Sequence, residues 1–247
     1  MGLQYSVQAL TQSEEHGLVL HPKYFKYLQF HCPDFAMPAC KVNARMREIV
    51  LASWDDIATG KAPGMEGKLK DGSAVVYFYD RFYSSLFALA PEVKPLFRQS
   101  IIVQGKALIA IVQTVTNEAN TTNAIEKVAD LAYRHNKYGV KLQYYNILGK
   151  NLLNIVKECT GSTWNEEKEM AWRTVYAFMM VAMTPILYHG RSQPTEKERN
   201  LAKQGKTLHN MTFRRPRTVE PTANMTSINP GQCPVAGTNV GECPHKP

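Results

Sequence analysis

Apolar side chains recur at helical spacing through the middle of the chain. One stripe consists of Met46, Ile49, Val50, Trp54 and Ile57, and another of Leu148, Leu152 and Val156. Positions three and four residues apart share one face of a helix, so such stripes indicate amphipathic helices. The spacing predicts helices over 42–58, 74–90, 101–116, 123–135, 142–159 and 165–188. We therefore predict an all-α core.

Polar and glycine-rich breaks separate these predicted helices. The segment GKAPGMEGKLKDG at 60–72 has four glycines, a proline and alternating charge, which is typical of an inserted loop. After Ala90 and Pro91, residues 92–97 form a short corner, and 117–123 breaks the third helix from the fourth. The string VVYFY at 75–79 is β-rich on its own, but its neighbours continue at helical spacing.

The two ends of the chain differ in composition from this helical middle. Residues 1–41 mix aromatics, histidine and proline with little periodicity, and we interpret them as an N-terminal extension. The central domain is predicted over 42–190, with the inserted loop at 59–73. Residues 191–247 are rich in proline, threonine, asparagine and charge, which predicts a disordered C-terminal tail.

Length and charge limit the function classes. With 247 residues and 44% apolar side chains, the chain can bury one substantial core. The formal net charge is +8, but lysine and arginine are scattered, so we interpret the charge as a basic surface. An anionic partner such as membrane lipid or nucleic acid is the alternative. Because no zinc-finger or RNA-binding signature is present, we expect no nucleic acid.

The cysteines and the apolar runs indicate a cytoplasmic location. Five cysteines occur, an odd number without a CxxC motif, as expected in a reducing compartment. The N-terminus lacks the basic and apolar regions of a signal peptide. The longest apolar stretch, 175–188, is too short to span a bilayer and contains Thr184 and Pro185.

Three residues that could contact a bound ligand follow one another along the helical middle of the chain. A phenylalanine stands after a proline-containing corner, a polar residue follows in the next helix, and a single histidine precedes a glycine break. This order resembles the globin superfamily, in particular its neuroglobin-like and bacterial single-domain or flavohaemoglobin-like branches. The resemblance covers about 44–188. The similar blocks are FYSSLFALAPEVKPLF at 82–97, QGKAL at 104–108, HNKYGVKLQYYNILGKNLL at 135–153 and AWRTVY at 171–176.

The resemblance implies a three-over-three helical sandwich that holds haem b. His135 matches the proximal histidine of the family, whose neutral imidazole ligates the iron. The other ring N–H is then expected to donate to a carbonyl one turn back, which fixes the tautomer. Four further positions match residues that line the haem: Phe97, Val140, Tyr145 and Leu148. Ordinary helix packing explains Leu148 equally well.

On the opposite side of the haem, the resemblance implies a polar distal pocket. Tyr83 and Gln104 match the two residues that donate hydrogen bonds to a bound gas, and Leu108 matches the apolar cap. Such a pair holds dioxygen tightly, since its outer oxygen carries partial negative charge. A gapless count back from His135 places Val103 over the iron instead. We prefer Gln104 because QGKAL reproduces the string of the family's helix.

Two haem-dependent function classes follow from the resemblance, and a globin-shaped scaffold without haem is a disfavoured third. The first is a haem protein that binds dioxygen, nitric oxide or carbon monoxide as a carrier, store or sensor. The second is an enzyme, a nitric oxide dioxygenase, which needs an external reductase because no GxGxxG flavin or nicotinamide domain follows. Bacterial members often carry a glutamate that bonds the proximal histidine. Here that place falls on Leu187, so peroxidase activity is expected to be weak.

Two features of the extensions suggest further sites. MGLQYS fits the N-myristoylation pattern with Gly2 as acceptor, and a single acyl chain gives weak membrane association. Cysteine precedes proline at Cys32, Cys233 and Cys243. Such pairs resemble haem-regulatory motifs, which makes Cys233 and Cys243 candidate haem contacts. Tail composition with redox-active thiols is the alternative explanation.

Overall fold

The computed structural model describes residues 6–69, 73–97, 100–204 and 212–214, and within these it is mainly helical. The helices are α1 (Pro22–His31), α2 (Ala44–Ala58), α3 (Ala74–Leu89), α4 (Ile101–Glu118), α5 (Thr122–Lys137), α6 (Leu142–Thr160), α7 (Glu166–Tyr188) and α8 (Glu196–Lys203). The short strands are β1 (Ser6–Gln8), β2 (Leu10–Ser13), β3 (Gly17–Leu20), β4 (Ala39–Cys40) and β5 (Thr212–Arg214). The predicted all-α class is confirmed.

Helices α2 to α7 pack as two layers of three. In one layer α4 contacts both α2 and α5, and in the other α6 contacts both α3 and α7. The layers meet where α7 packs on α2 and α5 and where α3 packs on α2 and α4. Buried side chains from all six helices form one core between them. This is the predicted three-over-three arrangement.

Local capping explains where several of these helices begin. Asn43, Thr121 and Asn165 precede α2, α5 and α7, and each side chain accepts a hydrogen bond from a backbone N–H of the first turn. Such caps satisfy N–H groups that have no partner inside the helix. Gly161 ends α6 with a φ of 64°, which suits glycine. The helical middle therefore folds as its local sequence dictates.

The N-terminal extension forms regular structure against the core. Strands β2, β3 and β4 make an antiparallel sheet in which Leu10 pairs with Leu20 and Leu18 with Cys40. Helix α1 and a 3-10 turn at Pro33–Phe35 follow the β2–β3 hairpin and pack on α7. Little of this was visible as periodicity, because strands of two to four residues are too short to show alternation.

Helix α7 is enclosed on every side. Each residue from Thr174 to Leu187 is buried, because α2, α5 and α6 cover one side while α1, β3 and β4 cover the other. By length and composition α7 is one candidate membrane span within the described residues, with a mean hydropathy of 1.3. However, 89% of that apolar window is buried inside the fold. Packing against protein accounts for its apolar surface.

The first part of the C-terminal segment is ordered, unlike the tail that the composition predicted. Helix α8 lies within the segment 191–204, and Glu198 on it is only 8% exposed. The composition predicted disorder for this segment, and a short helix lies within it. Its sequence, EKERNLAK, is mostly charged and gave no apolar stripe to predict a helix from, while Glu198 accepts a hydrogen bond from Tyr133 of α5. The predicted sites at Gly2, Cys233 and Cys243 lie outside the described residues.

Candidate functional site

His135 lies in the last turn of α5. Residues 132 and 133 before it are buried, and His135 itself is half-buried. Its Nδ1 lies 2.8 Å from the carbonyl oxygen of Leu131, one turn earlier. A carbonyl oxygen can only accept, so Nδ1 carries the proton and the Nε2 lone pair is available. The hydrogen bond expected from the sequence is thus present, and it orients the ring as a ligand requires.

Electrostatics keep this imidazole neutral. Burial lowers the pKa of His135 below its ordinary value, the bond to the Leu131 carbonyl raises it, and the nearby Arg134 charge lowers it. Burial is the largest of these effects, because a charged ring loses its water. A neutral imidazole at pH 7 is the form that binds a metal.

Tyr145 on α6 is the ring that faces His135. The two ring centroids are 5.8 Å apart at an angle of 43°. The residue is 6% exposed, and its phenol oxygen has no hydrogen-bond partner among the described residues. Burial raises the pKa of Tyr145, so the phenol stays protonated. Most buried polar groups in native folds have a hydrogen-bond partner, so this phenol leaves room for a bound water or ligand as its partner.

The glycine break after His135 leads into the other predicted proximal residues. Gly139 has a φ of 76°, which glycine tolerates, and it closes α5 before α6 begins. The backbone N–H of Val140 donates to the carbonyl of His135 at 3.1 Å. Val140 and Leu148 are both half-buried, and Leu148 lies one turn after Tyr145. These residues give the proximal side an apolar, partly accessible wall.

Tyr83 on α3 and Phe97 after the corner are brought together. Their ring centroids are 5.3 Å apart in an edge-to-face arrangement, and Phe87 lies 5.4 Å from Phe97 and 5.9 Å from Tyr83. Tyr83 is 2% exposed, and burial raises its pKa. No hydrogen bond of its phenol is present within the described part of the chain. Phe87 was not predicted from the sequence, although it follows Tyr83 by one helical turn.

Gln104 and Leu108 lie one turn apart on a half-buried stripe of α4, which continues to Ile111. Val103, the alternative residue, is 53% exposed, whereas Gln104 is half-buried. The adjacent stripe of α4 is fully buried because Gly105 lets the helix approach α3 closely. A Cβ at Gly105 would lie 2.4 Å from the ring of Tyr79.

The family model Globin matches residues 80–183. The chain carries a globin domain. Among curated relatives, flavohemoproteins of Vibrio cholerae, Rhizobium meliloti and Halalkalibacterium halodurans are 28%, 28% and 27% identical over 106, 140 and 119 residues. These alignments cover 40%, 54% and 45% of this chain but only 26%, 33% and 29% of the relatives.

The residues of this globin domain fit a haem held by one axial histidine. Among the described residues, no three histidine, cysteine or carboxylate side chains cluster as a metal site made by protein alone would require. His135 instead offers one oriented, neutral nitrogen next to apolar walls. The orphaned phenol of Tyr145 lies on the same side. A porphyrin supplies its own four nitrogens, so a single protein ligand suffices.

A cavity of about 380 Å³ lies next to the turn that joins α5 to α6. Its walls are Tyr27, His31, Asn136, Gly139, Val140, Lys141, Leu142, Gln143, Leu187 and Gly190. Of the predicted haem contacts only Val140 borders it, so this cavity is not the candidate site. Leu187 is 6% exposed and brings no carboxylate to His135, as the sequence indicated.

Proposed function

We propose that this globin domain holds haem b through Nε2 of His135 and reversibly binds dioxygen or another diatomic gas. The observation that supports this most directly is the 2.8 Å hydrogen bond from Nδ1 to the Leu131 carbonyl, which leaves Nε2 as the ligand. The flavohemoprotein relatives bear haem in their name, and their similarity to this chain supports the same cofactor. Storage, transport or sensing of the gas would use the same site.

The distal side chains suit a polarised gas ligand. Ferrous haem supplies an iron atom that binds diatomic gases reversibly. The buried phenol of Tyr83 and the amide of Gln104 can donate hydrogen bonds to the partial negative charge on dioxygen. Phe97 and Leu108 are half-buried apolar residues that limit the access of water. Two donors in an apolar pocket favour tight holding over rapid release.

The proximal side favours gas binding over peroxide cleavage. A carboxylate that bonds the proximal imidazole would increase its basicity and push electron density toward iron. In the described part of the chain, the hydrogen bond found for the His135 ring goes to a neutral backbone carbonyl. Leu187 stands where the bacterial relatives often carry glutamate. We therefore expect peroxidase activity to be weak.

Absorption spectra of the ferrous protein with and without carbon monoxide test the proposal. We expect a Soret band that shifts when carbon monoxide binds, and loss of the band in His135→Gly. Imidazole added to that variant should restore it, because the cavity left by the side chain admits the free ligand. The matched control is His31→Gly at the end of α1, which should leave the spectrum unchanged. A colourless reconstituted protein, or an unchanged His135→Gly spectrum, would refute haem ligation by His135.

A second candidate function is nitric oxide dioxygenation. It is favoured by the similarity to flavohemoproteins and by the two potential donors Tyr83 and Gln104, which would hold dioxygen while nitric oxide reacts to give nitrate. Each turnover needs one electron to return ferric iron to the ferrous state, so a separate reductase is required for catalysis. The alignments span about a quarter to a third of these relatives, and their whole activity is not implied.

Stopped-flow mixing of the oxygenated protein with nitric oxide separates the two functions. A dioxygenase gives nitrate in a fast single turnover, and it sustains turnover when a flavin reductase and nicotinamide are added. A carrier or sensor reacts once but is not re-reduced fast enough to cycle. Failure of every reductant to support turnover would leave gas binding as the function.

We propose a cytoplasmic protein in which myristate on Gly2 gives weak membrane contact, helped by the net charge of +8. Mass spectrometry of protein from its native source should show the mass of a 14-carbon acyl group on Gly2. Unmodified Gly2 would end this proposal without affecting the haem site.

A further inference from the structure

The residue after His135 anchors the end of the proximal helix α5. Nδ2 of Asn136 donates to the carbonyl oxygens of Ile186, at 3.1 Å, and Arg191, at 2.8 Å. Both acceptors are more than 40 residues away along the chain, at the end of α7 and just beyond it. A single amide therefore ties the last turn of α5 to the segment that follows the core.

A second attachment lies on the other side of His135. The phenol of Tyr133 donates to Oε2 of Glu198 on α8 at 3.3 Å. The same carboxylate accepts from Nη1 of Arg191 at 2.8 Å and from the backbone N–H of Thr195 at 2.7 Å. Glu198 is 8% exposed, and a buried carboxylate is tolerated only when it is paired in this way. The guanidinium of Arg191 also lies 6.0 Å from the ring of Tyr133.

Both attachments reach residues outside the matched globin family segment. That segment ends at residue 183, whereas the hydrogen-bond partners of Asn136 and Tyr133 lie between residues 186 and 198. The last turn of a helix ordinarily frays, since its carbonyls lack partners and few contacts hold it. Here Tyr133 and Asn136 are both fixed, and His135 lies between them. The imidazole therefore has little freedom to tilt or shift.

We propose that Asn136 and Glu198 form a clamp that positions His135, so that residues beyond the family domain set how firmly the haem iron is held. This inference rests on the proposed function, because it concerns haem ligated by His135. The clamp acts on the imidazole through the backbone of α5 and through Tyr133, so Asn136 and Glu198 are positioning residues. Removing a residue that orients a metal ligand typically lowers the affinity for the metal by about 10- to 100-fold.

Haem dissociation from three variants tests the clamp. Asn136→Ala removes both bonds to the carbonyls, Tyr133→Phe removes only the phenol hydroxyl, and Glu198→Gln keeps the shape of the carboxylate without its charge. We expect Asn136→Ala to lose haem to an acceptor apoglobin about tenfold faster than wild type. In resonance Raman spectra of the ferrous protein, the iron–histidine stretching band should broaden, because the ring samples more orientations.

Asn146→Ala is the matched control. Asn146 also makes two side-chain hydrogen bonds and is half-buried, but both bonds join α6 to Asp34 in the N-terminal extension and neither involves α5. Its haem loss should stay within about twofold of wild type, with an unchanged Raman band. A general loss of stability would shift the unfolding midpoint of both asparagine variants without broadening the band in either.

Equal haem loss and equal band widths in Asn136→Ala, Tyr133→Phe and the control would overturn the clamp. If Asn136→Ala does not fold, Tyr133→Phe decides the question, because it removes one hydroxyl and keeps the ring. Wild-type protein that takes up no haem would refute the proposed function itself. Wild type that holds haem with variants identical to it would refute only the clamp.

Discussion

The ring of Tyr83 packs edge-on against Phe97, with the two centroids 5.3 Å apart. This contact fixes the phenol on the inner side of α3 while the residue remains 2% exposed. A hydroxyl held there has lost its water, and burial raises its pKa so that it stays a donor. Under the function proposed above, this aromatic contact would hold the phenol as a hydrogen-bond donor for a bound gas.

Removing that donor should speed the release of dioxygen. Because one hydrogen bond to a charged group contributes about 1 to 3 kcal/mol, we expect Tyr83→Phe to release dioxygen roughly 5- to 150-fold faster. Carbon monoxide carries less charge, so its release should change less. Laser photolysis and stopped-flow replacement measure both rates.

Tyr79→Phe is the control for this experiment. Tyr79 is also buried on α3, one turn earlier, but its ring packs against Gly105 of α4. Its variant should release dioxygen at the wild-type rate. Equal rates for the two variants would contradict a donor role for Tyr83.

The close crossing of α3 and α4 makes Gly105 sensitive to substitution. A Cβ there would lie 2.4 Å from the ring of Tyr79, and the helix would have to move away. Overpacking of this kind costs about 1 to 3 kcal/mol, so Gly105→Ala should lower the free energy of unfolding by that amount. It should also raise the dioxygen release rate, since Gln104 is the preceding residue.

Urea unfolding followed by circular dichroism measures the free energy of unfolding of Gly105→Ala. Ala107→Ser, on the exposed side of the same helix, is the control and should change stability by less than about 0.5 kcal/mol. A Gly105→Ala variant as stable as this control would show that α4 accommodates the methyl group.

The sequence indicated most of the helical core because each helix carries a continuous apolar stripe. The observed bounds of α2 to α7 differ from the predicted ones by at most two residues. Tyr24 and Phe35, by contrast, lie in elements of ten residues or fewer. Their burial depends on packing against α7 and not on a periodic apolar pattern in the local sequence. Tertiary contacts decide such segments, and a single sequence does not show them.

In the candidate site too, some residues were marked by their local sequence and others were not. His135 could be recognised because the glycine break that follows it is adjacent in sequence. Asn136 and Glu198 were missed because their partners are distant: Asn136 bonds residues 50 and 55 positions away, and Glu198 is 65 positions from Tyr133. Asparagine and glutamate are common surface residues, so nothing in their local sequence marks them.

The ion pair between Arg81 and Glu158 should make stability depend on pH. Hydrogen bonds from Arg81, at 2.8 and 3.1 Å, lower the pKa of Glu158 below its ordinary value of 4.5, and Lys68 adds to this. A carboxylate with a lowered folded-state pKa stabilises the fold above the unfolded value. That contribution is lost as pH falls through the folded value.

We therefore expect Glu158→Gln to be less stable than wild type by about 0.5 to 1 kcal/mol at neutral pH, since the pair is partly exposed. The difference should vanish well below pH 4.5. Urea unfolding at both pH values checks it. Glu167→Gln, in the exposed pair with Arg45, should show a smaller pH-dependent difference. A constant difference at all pH values would exclude the ion pair as its cause.

The N-terminal extension should be needed for stability. Phe35 is 1% exposed, its ring centroid lies 4.5 Å from that of Tyr176, and it occupies the space that a side chain at Gly149 would need. Phe35→Ala removes this contact and leaves a cavity against α6 and α7, which typically costs about 3 to 5 kcal/mol. Phe30, five residues earlier, is 81% exposed. Phe30→Ala should therefore change the free energy of unfolding by less than about 0.5 kcal/mol. Equal unfolding free energies for the two variants would mean that the globin core is stable without this extension.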